Sequence, residues 1–277
     1  MKPGVIIQAR TSSTRLPGKI LKKLPYNKDI TVLEQVVRRV KKAKNIETIV
    51  VATTEDKSDD KIIEVLEDYD VKIFRGSMED VLARYYNSAK KHNINPVVRI
   101  TSDCPCIDWN ILDKIINIYK ESDYEYVSNT INRTYPHGLD AEVFSFEVLG
   151  KVYNKAKRDE FREHVTAYIL SSNEFNIKNI SAPQNLKFPD IRITLDTEQD
   201  YALLCAVYGF LYKKKKYFDT TDIINLFKQK PWLKLINKNV KQKKIYDSVE
   251  EEIQEAIELL DLQDLNRAKK YIEDNML

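Results

Sequence analysis

Short apolar runs rich in β-branched residues alternate, in the first part of the chain, with segments in which apolar residues recur every three or four positions. Runs of the first kind predict buried strands, and segments of the second kind predict amphipathic helices. The predicted strands span 4–9, 48–52, 71–74 and 97–101, and the predicted helices span 31–44, 59–69, a segment capped by Ser77, and 109–120. This alternation predicts an α/β fold in which helices cover both faces of a parallel sheet.

The pattern is less regular after residue 120. Short strands are predicted at 124–127, 141–144 and 191–195, and helices at 159–171 and 221–229. The last segment, 246–277, begins with Ser248 and Glu251 at capping-box spacing and continues with apolar residues at helical spacing. It is predicted to be a C-terminal amphipathic helical extension. Packing on its own chain is the simpler interpretation of this extension, and a role in assembly is the alternative.

Composition excludes several classes of protein. Of the 277 residues, 43% are hydrophobic and 31% are charged, which is ordinary for a globular protein, and the net charge of +3 gives no reason to expect nucleic-acid binding. No run approaches the roughly 18 apolar residues of a membrane span, and no signal pattern opens the chain. We therefore expect no membrane association and a cytoplasmic location, in which Cys104, Cys106 and Cys205 are reduced thiols.

The segment that follows the first predicted strand, residues 8–19, concentrates groups that bind phosphate. It reads QARTSSTRLPGK, with three cations, four hydroxyl side chains and a glycine. Backbone N–H groups and hydroxyls donate to phosphate oxygens, while Arg and Lys neutralise their charge. Because ligands of such sheets bind at the carboxyl ends of the strands, we predict that this loop wraps a polyphosphate. It has neither the P-loop nor the dinucleotide-binding glycine pattern.

Carboxylates also follow predicted strands. Asp103 comes just after the strand at 97–101, where a carboxylate is well placed to hold Mg²⁺ against a triphosphate. Asp108 is instead predicted to cap the helix that begins at Trp109. Thr197 and Asp200 have the spacing of a capping box for a further helix.

These segments together resemble a known family. The loop at 8–19, TSDCPCID at 101–108 and RITLDTEQDY at 192–201 are similar to signature segments of the CMP-KDO synthetase group of cytidylyltransferases, most closely its spore coat polysaccharide biosynthesis protein F branch. The blocks FRGSMEDVLARY, YPHGLDAEVF and REHVT, which begin at residues 74, 135 and 162, extend the resemblance from residue 4 to about 245. Ser102 and Cys106 depart from the family's usual Gly and Leu.

The resemblance implies a Rossmann-like nucleotidyltransferase fold at 1–245, with a nucleotide-binding half at about 1–120 and an acceptor-binding half at about 121–245. It implies an enzyme that converts CTP and an acidic sugar of the KDO or nonulosonic-acid type into a CMP-sugar and pyrophosphate, for polysaccharide or glycan biosynthesis. Mg²⁺ is the implied cofactor and a homodimer is the implied assembly.

The resemblance also assigns roles to residues. Metal binding and catalysis fall to Asp103 and Asp196, with Arg15 and Lys19 as further catalytic residues. The residues assigned to the nucleotide are Gln8, Ala9, Arg10, Thr11, Ser12, Arg15, Lys19, Thr53, Arg75, Gly76, Ser77, Arg99 and Ser102. Those assigned to the acceptor are His137, Gly138, Asp140, Glu142, Arg162, Glu163, His164 and Arg192. Ser77 is either an anion donor or only a cap, and His164 is a general base, a substrate contact or an internal hydrogen-bond partner.

Other functions are compatible with the same residues. The acceptor could be a phosphate or phosphonate small molecule, because pockets for carboxylate and phosphate use the same residue types. A nucleotide-sugar glycosyltransferase also places metal-binding carboxylates after strands. A catalytically inactive scaffold is a third alternative, against which the full set of phosphate-binding and carboxylate residues argues.

Overall fold

The structure is a computed structural model that describes residues 3–240 and 248–276. The chain divides into two compact units, Met1–Lys238 and Asn239–Leu277. The first unit contains the sheet and all of the predicted site residues. In the second unit, the Ser248 hydroxyl accepts a hydrogen bond from the Glu251 N–H at 3.3 Å and begins the first of two helices.

The first unit is built on one seven-stranded sheet. Its strands are β1 (Gly4–Gln8), β2 (Thr48–Thr54), β3 (Lys72–Gly76), β4 (Val97–Thr101), β5 (Tyr126–Ser128), β6 (Glu142–Phe144) and β7 (Ile177–Asn179). They lie in the order β3-β2-β1-β4-β6-β5-β7. The first four strands are mutually parallel where they pair, as predicted.

The predicted parallel pairing holds for the first four strands, and the second half of the sheet is mixed. Strand β6 pairs antiparallel with both β4 and β5. The connection 129–141 contains no helix. A strand that returns without a helical crossover pairs antiparallel with the strand before it, so β6 enters the sheet between β4 and β5 in the reverse direction.

Helices cover both faces of the sheet. The helices of the first unit are α1 (Val32–Val40), α2 (Asp60–Val65), α3 (Val81–His92), α4 (Trp109–Lys120), α5 (Phe146–Lys155), α6 (Asp159–Glu163), α7 (Ala167–Ser171), α8 (Glu198–Leu211) and α9 (Thr220–Gln229). The second unit contains α10 (Val249–Leu262) and α11 (Asn266–Met276). Successive residues of a strand point to opposite faces, so Val5 and Ile7 join the core under α1, α4, α8 and α9, while Ile6 joins the core under α3 and α5. None of the helices within the described ranges is long and apolar enough to cross a membrane.

Several predicted helix ends are confirmed and others are corrected. Capping boxes at Thr31 and Thr197 begin α1 and α8, and Asp108 caps α4, as predicted. Helix α3 is capped by Asp80 and not by Ser77, whose hydroxyl accepts from the Asp80 N–H at 3.1 Å. The single helix predicted at 159–171 is two short helices, α6 and α7, separated at residues 164–166.

The strand predicted at 191–195 is extended but lies outside the seven-stranded ladder. Its backbone bonds to His137 instead: the His137 N–H donates to the Ile191 carbonyl, and the Ile193 N–H donates to the His137 carbonyl, both at 2.8 Å. Gly138 permits this close approach, because it has a φ of +110° and an added Cβ would lie 2.7 Å from the Ile193 carbonyl carbon. This contact carries Asp196 to the carboxyl end of β4.

Candidate active site

The loop that follows β1 folds back on itself and ends in a short helical turn at Lys19–Leu21. Gly18 adopts a left-handed conformation, with φ of 64°, and donates its N–H to the Thr11 carbonyl at 3.0 Å. The Leu16 side chain is buried in the core and anchors the loop. Lys19 is therefore presented at a fixed place beside the carboxyl ends of β1 and β4.

Lys19 lies between two carboxylates that come from distant parts of the chain. Its Nζ is 2.7 Å from Oδ2 of Asp103 and 2.9 Å from Oδ1 of Asp196. Asp103 follows β4, and the Leu195 N–H, just before Asp196, donates to the Asp103 carbonyl at 2.9 Å. The structure thus brings together three residues that sequence analysis assigned to catalysis.

The charges of this cluster stabilise one another. Burial opposes the charge of Lys19, but the two carboxylates outweigh it and raise the pKa of Lys19. Burial also favours the neutral form of Asp196, yet Lys19, Arg15 and Arg192 lower the pKa of Asp196 to about 2. Arg15 lies 3.2 Å from Oδ1 of Asp196, and Arg192 lies 2.8 Å from Oδ2. Asp196 is therefore an anion at neutral pH, and Lys19 bridges it to Asp103.

The same carboxylates fit a divalent cation. One ammonium group touches both, so an oxygen of Asp103 and an oxygen of Asp196 converge on a point where a cation sits. Proteins bind Mg²⁺ with one or two carboxylates, and substrate phosphates and water complete its shell. Among the side chains of residues 3–240 and 248–276, no group of three or more His, Cys, Asp or Glu is arranged to hold a metal alone. A metal held by Asp103 and Asp196 would need oxygens of water or substrate to complete its shell.

Asp200 orients the arginine that binds Asp196. It accepts from Arg192 at 2.9 Å and 3.0 Å, one bond on each oxygen, and from the Asn237 amide at 2.8 Å. Its role in the capping box of α8 is confirmed, and the pair with Arg192 is an additional role that the sequence did not indicate. Asp200 thus couples the start of α8 to the position of Asp196.

Asp59 anchors the loop at residues 8–19, the predicted phosphate-binding loop. Its side chain is 1% exposed, and its Oδ1 accepts from both the N–H and the hydroxyl of Thr11 at 2.7 Å. Its Oδ2 accepts from the hydroxyls of Thr53 and Thr54 at the end of β2. Thr11 and Thr53 were both assigned to the nucleotide, but their hydroxyls bond to Asp59. The carboxylate therefore ties the loop after β1 to the neighbouring strand.

A second buried network crosses four adjacent strands, β1, β4, β6 and β5. Arg99 of β4 forms an ion pair with Glu142 of β6 and donates to Oε1 of Gln8, the last residue of β1, at 3.2 Å. Tyr126 of β5 donates its hydroxyl to Glu142 at 2.8 Å. Burial opposes the charge of Arg99, but Glu142 outweighs it and raises the pKa of Arg99. Residues assigned to the nucleotide and to the acceptor are thus joined in one network.

The residues assigned to the acceptor around His137 form a cluster beside Arg192. Nδ1 of His137 lies 3.1 Å from Nη1 of Arg192, and its Nε2 lies 3.8 Å from Oδ2 of Asp140. Arg133 forms a two-point ion pair with Asp140, one arm of which measures 2.8 Å. Burial lowers the pKa of His137, against the opposing effect of Asp140. Each arginine of this cluster is already paired with a carboxylate, Arg133 with Asp140 and Arg192 with Asp196 and Asp200.

Other predicted site residues are engaged in fold contacts. Arg75 donates to Asp60 at 2.6 Å and to the Thr54 carbonyl at 2.9 Å. Arg162 pairs with Asp80, the cap of α3, and donates to the Tyr153 carbonyl at 2.9 Å. These contacts use donors that were assigned to substrates, and the assignments remain predictions.

The remaining assigned residues are exposed or contact neighbouring strands and helices. Arg10 reaches Glu163 at 3.9 Å and joins the loop to α6. The Ala9 N–H donates to the Ala52 carbonyl and the Ser102 N–H donates to the Gln8 carbonyl, so both continue the strand ladder. Ser12 is exposed, and the His164 N–H donates to the Glu160 carbonyl at the end of α6.

Sequence analysis missed Asp59 and Arg133. Asp59 was interpreted as the start of a helix, and nothing in its neighbours indicates a partner 48 residues away. Arg133 precedes the YPHGLDAEVF block and shows no pattern of its own. Asp59 follows the last residue of β2, Thr54, by five positions, and Arg133 follows the last residue of β5, Ser128, by five, so a search for polar residues directly after buried strands would have found neither.

Comparison with known proteins supports one family over almost the whole chain. Residues 4–274 match the cytidylyltransferase family, so the match includes the C-terminal extension, which sequence analysis placed outside the resemblance. An uncharacterised protein of Methanocaldococcus jannaschii is 39% identical over 252 residues, which are 89% of this chain and 98% of that protein. Spore coat polysaccharide biosynthesis protein SpsF of Bacillus subtilis is 34% identical over 215 residues, 73% of this chain and 85% of that protein.

Two further similarities agree. A 3-deoxy-manno-octulosonate cytidylyltransferase of Hydrogenovibrio crunogenus is 30% identical over 130 residues, 45% of this chain and half of that protein. The solved structure of a cytidylyltransferase from Leptospira borgpetersenii superposes with a TM-score of 0.78 at 34% identity, over 89% of this chain and 99% of that one. The predicted Rossmann-like nucleotidyltransferase fold is confirmed, and the chain belongs to the cytidylyltransferase family.

Proposed function

We propose that this chain is a Mg²⁺-dependent cytidylyltransferase that transfers CMP from CTP to an acidic sugar and releases pyrophosphate. The observation that carries the proposal is the convergence of Asp103 and Asp196 on Lys19 at the carboxyl end of the sheet. A triphosphate needs both kinds of group: cations for its oxygens, and carboxylates for the Mg²⁺ that accompanies it.

The chain's own residues have distinct parts in the proposed reaction. The anchored loop and Arg15 bind the triphosphate, and Lys19 neutralises charge that gathers on the pyrophosphate as it leaves. Asp103 and Asp196 would hold Mg²⁺, which supplies Lewis-acid polarisation of the α-phosphoryl oxygens when it is bound. The acceptor oxygen bonds to the α-phosphorus and releases its proton to solvent, while the bond between the α-phosphorus and the oxygen that bridges it to the β-phosphorus breaks and pyrophosphate leaves with that electron pair. No covalent intermediate with the protein is needed.

An acidic acceptor is supported by the relatives of the chain and not by free cations beside Asp196. Arg192 and Arg133 flank His137, but Asp200 and Asp140 already accept hydrogen bonds from their guanidinium groups. The name of the 3-deoxy-manno-octulosonate cytidylyltransferase and that of the spore coat polysaccharide protein suggest a sugar acceptor in glycan synthesis. The same residue types bind carboxylate and phosphate, so the acceptor must be identified by assay.

Pyrophosphate release tests the proposal directly. The full chain is incubated with Mg²⁺, one of CTP, UTP, ATP or GTP, and a panel of sugar acids and phosphorylated or phosphonate molecules. We expect release only with CTP and only in the presence of an acidic sugar. Asp103→Asn should abolish it, whereas Asp29→Asn, at a carboxylate that is 94% exposed, should not. Release with a phosphorylated acceptor alone would contradict the acidic-sugar assignment, and near-native turnover by Asp103→Asn would contradict the metal assignment.

A further inference from the structure

Arg84 is a buried arginine, two of whose nitrogens have no hydrogen-bond partner among the described residues. It lies in the first turns of α3, and its side chain is 2% exposed. Neither Nε nor Nη1 has a hydrogen-bond partner among the residues that the structure describes, although both atoms are shielded from solvent. A buried polar group without a partner is costly, and a buried charge without one is costlier. Such an atom calls for an explanation.

Arg39 shows how this protein ordinarily buries an arginine. It is 1% exposed, and it donates to the carbonyls of Ile107, Cys106 and Phe218 at 2.8, 3.3 and 2.6 Å. Its guanidinium therefore has partners at two of its nitrogens, on three different carbonyls. Arg84 is buried to a similar degree as Arg39 but lacks equivalent hydrogen bonds. Packing alone therefore does not account for an arginine at this position.

The direction of the side chain places the Arg84 guanidinium near the candidate site. Side chains on a helix lean toward its N-terminus, and the N-terminus of α3 follows the carboxyl end of β3. Gly76, the last residue of β3, lies against the Arg84 stem: an added Cβ there would be 3.0 Å from Arg84 Cγ. Gly76 was assigned to the nucleotide, and the structure shows that its missing side chain makes room for Arg84.

The two carboxylates nearest in effect to Arg84 already accept hydrogen bonds from other residues. The carboxylates that act on it are Asp59, whose oxygens accept from Thr11, Thr53 and Thr54, and Asp80, which pairs with Arg162. Arg10, from the phosphate-binding loop, adds a second positive charge nearby. Burial, with a smaller effect of Arg10, lowers the pKa of Arg84. An incoming acceptor atom would therefore meet a guanidinium with free donors.

We propose that Arg84 is a nucleotide-binding residue that donates hydrogen bonds to an oxygen of CTP, either on the triphosphate or on the pyrimidine carbonyl. The inference rests on the proposed function, because it takes CTP as the ligand. Both oxygens share one chemistry, that of an acceptor that satisfies a desolvated guanidinium. Bound CTP would supply the hydrogen-bond acceptor that Nε and Nη1 of Arg84 lack among the described residues.

Two matched variants, Arg84→Met and Arg39→Met, test the proposal in the full chain. Thermal unfolding without ligand is measured first. We expect Arg84→Met to melt at or above the wild-type temperature, since it removes an unpaired buried charge, and Arg39→Met to melt well below it, since three carbonyls lose their donor. A loss of stability in Arg84→Met as large as that in Arg39→Met would assign Arg84 to the fold and overturn the proposal.

Calorimetric titrations with Mg²⁺-CTP, Mg²⁺-pyrophosphate and cytidine then locate the contact. We expect Arg84→Met to bind Mg²⁺-CTP at least tenfold more weakly than the wild type. An accompanying loss with pyrophosphate places the contact on the triphosphate, and a loss with cytidine places it on the base. Equal CTP affinity in the two proteins would overturn the role of Arg84 and leave the proposed function standing. A wild type that does not bind Mg²⁺-CTP would instead refute the proposed function.

Discussion

Replacing Asp59 with Asn should loosen the phosphate-binding loop while preserving the shape of the side chain. The two carboxylate oxygens of Asp59 serve different segments: Oδ1 faces the Thr11 N–H at 2.7 Å, and Oδ2 faces the Thr54 N–H at 3.4 Å. An asparagine has one acceptor oxygen and one amide nitrogen. Whichever way the amide turns, its nitrogen faces one of these two backbone N–H groups, which cannot reverse to accept.

The expected loss of stability follows from these contacts. A hydrogen bond to a charged group contributes about 1.5–3 kcal/mol, and a buried donor left without an acceptor adds a cost, so Asp59→Asn should lose about 3 kcal/mol. For a protein of this size each 1 kcal/mol lowers Tm by about 2–4 °C, which gives a decrease of about 6–12 °C. Release of Thr11 should also displace the loop and raise KM for CTP about tenfold, because catalytic groups tolerate little misplacement.

The pH dependence has a definite sign. Burial alone would raise the pKa of Asp59, but hydrogen bonds from Thr54 and Thr11 outweigh it and lower that pKa. The charged form therefore stabilises the fold above the unfolded-state pKa of about 3.9, and this stabilisation is lost as the pH falls through the folded-state value. Asp59→Asn should lack this part of the acid-induced loss of stability.

Thermal melts between pH 3 and 8, together with CTP saturation kinetics, measure these effects. The control is Asp56→Asn, at an exposed carboxylate in the same connection that accepts from the Ser58 N–H at 2.7 Å. This variant should leave Tm and KM close to wild type. If Asp59→Asn also kept both values, the carboxylate would not anchor the loop and the reasoning would be refuted.

Two further variants probe the carboxylate pair and the segment that carries Asp196. Lys19→Met leaves Asp103 and Asp196 without their shared cation, so the free energy of unfolding should fall by about 1–3 kcal/mol, less than for a fully buried pair. Mg²⁺ should stabilise this variant more than it stabilises the wild type. An equal response of the two proteins to Mg²⁺ in differential scanning fluorimetry would argue against the metal site. Gly138→Ala forces a Cβ against the backbone of residues 193 and 194, so the free energy of unfolding should fall by about 2–5 kcal/mol and most turnover should be lost. The control is Gly209→Ala in α8, where an added Cβ meets nothing within 4 Å and the substitution should be neutral or stabilising. Equal Tm values for the two glycine variants would show that the close approach at Gly138 is not required.

The parts of the site that the sequence predicts are those that the sheet itself brings together. Lys19 and Asp103 follow β1 and β4, which are adjacent and parallel, so their carboxyl ends meet whatever the rest of the chain does. The order of the first strands and the faces of their helices also follow from the alternation of apolar runs. Where a connection lacks a helix, as between β5 and β6, local pattern does not reveal the direction of the next strand, and the antiparallel pairing of β6 was not predicted.

Position alone cannot distinguish an arginine that the fold uses from one that it leaves for a ligand. Arg75, Arg84 and Arg162 lie in or near segments that resemble the family's motifs, and each has the same five donors. Arg75 pairs with Asp60, 15 residues earlier in the chain, and Arg162 pairs with Asp80, 82 residues earlier. Arg84 has no such carboxylate partner among the described residues, and sequence analysis quoted it in the block that begins at Phe74 without giving it a role. The feature that marks it is a bond that is missing, and only the packed structure shows which donors remain unused.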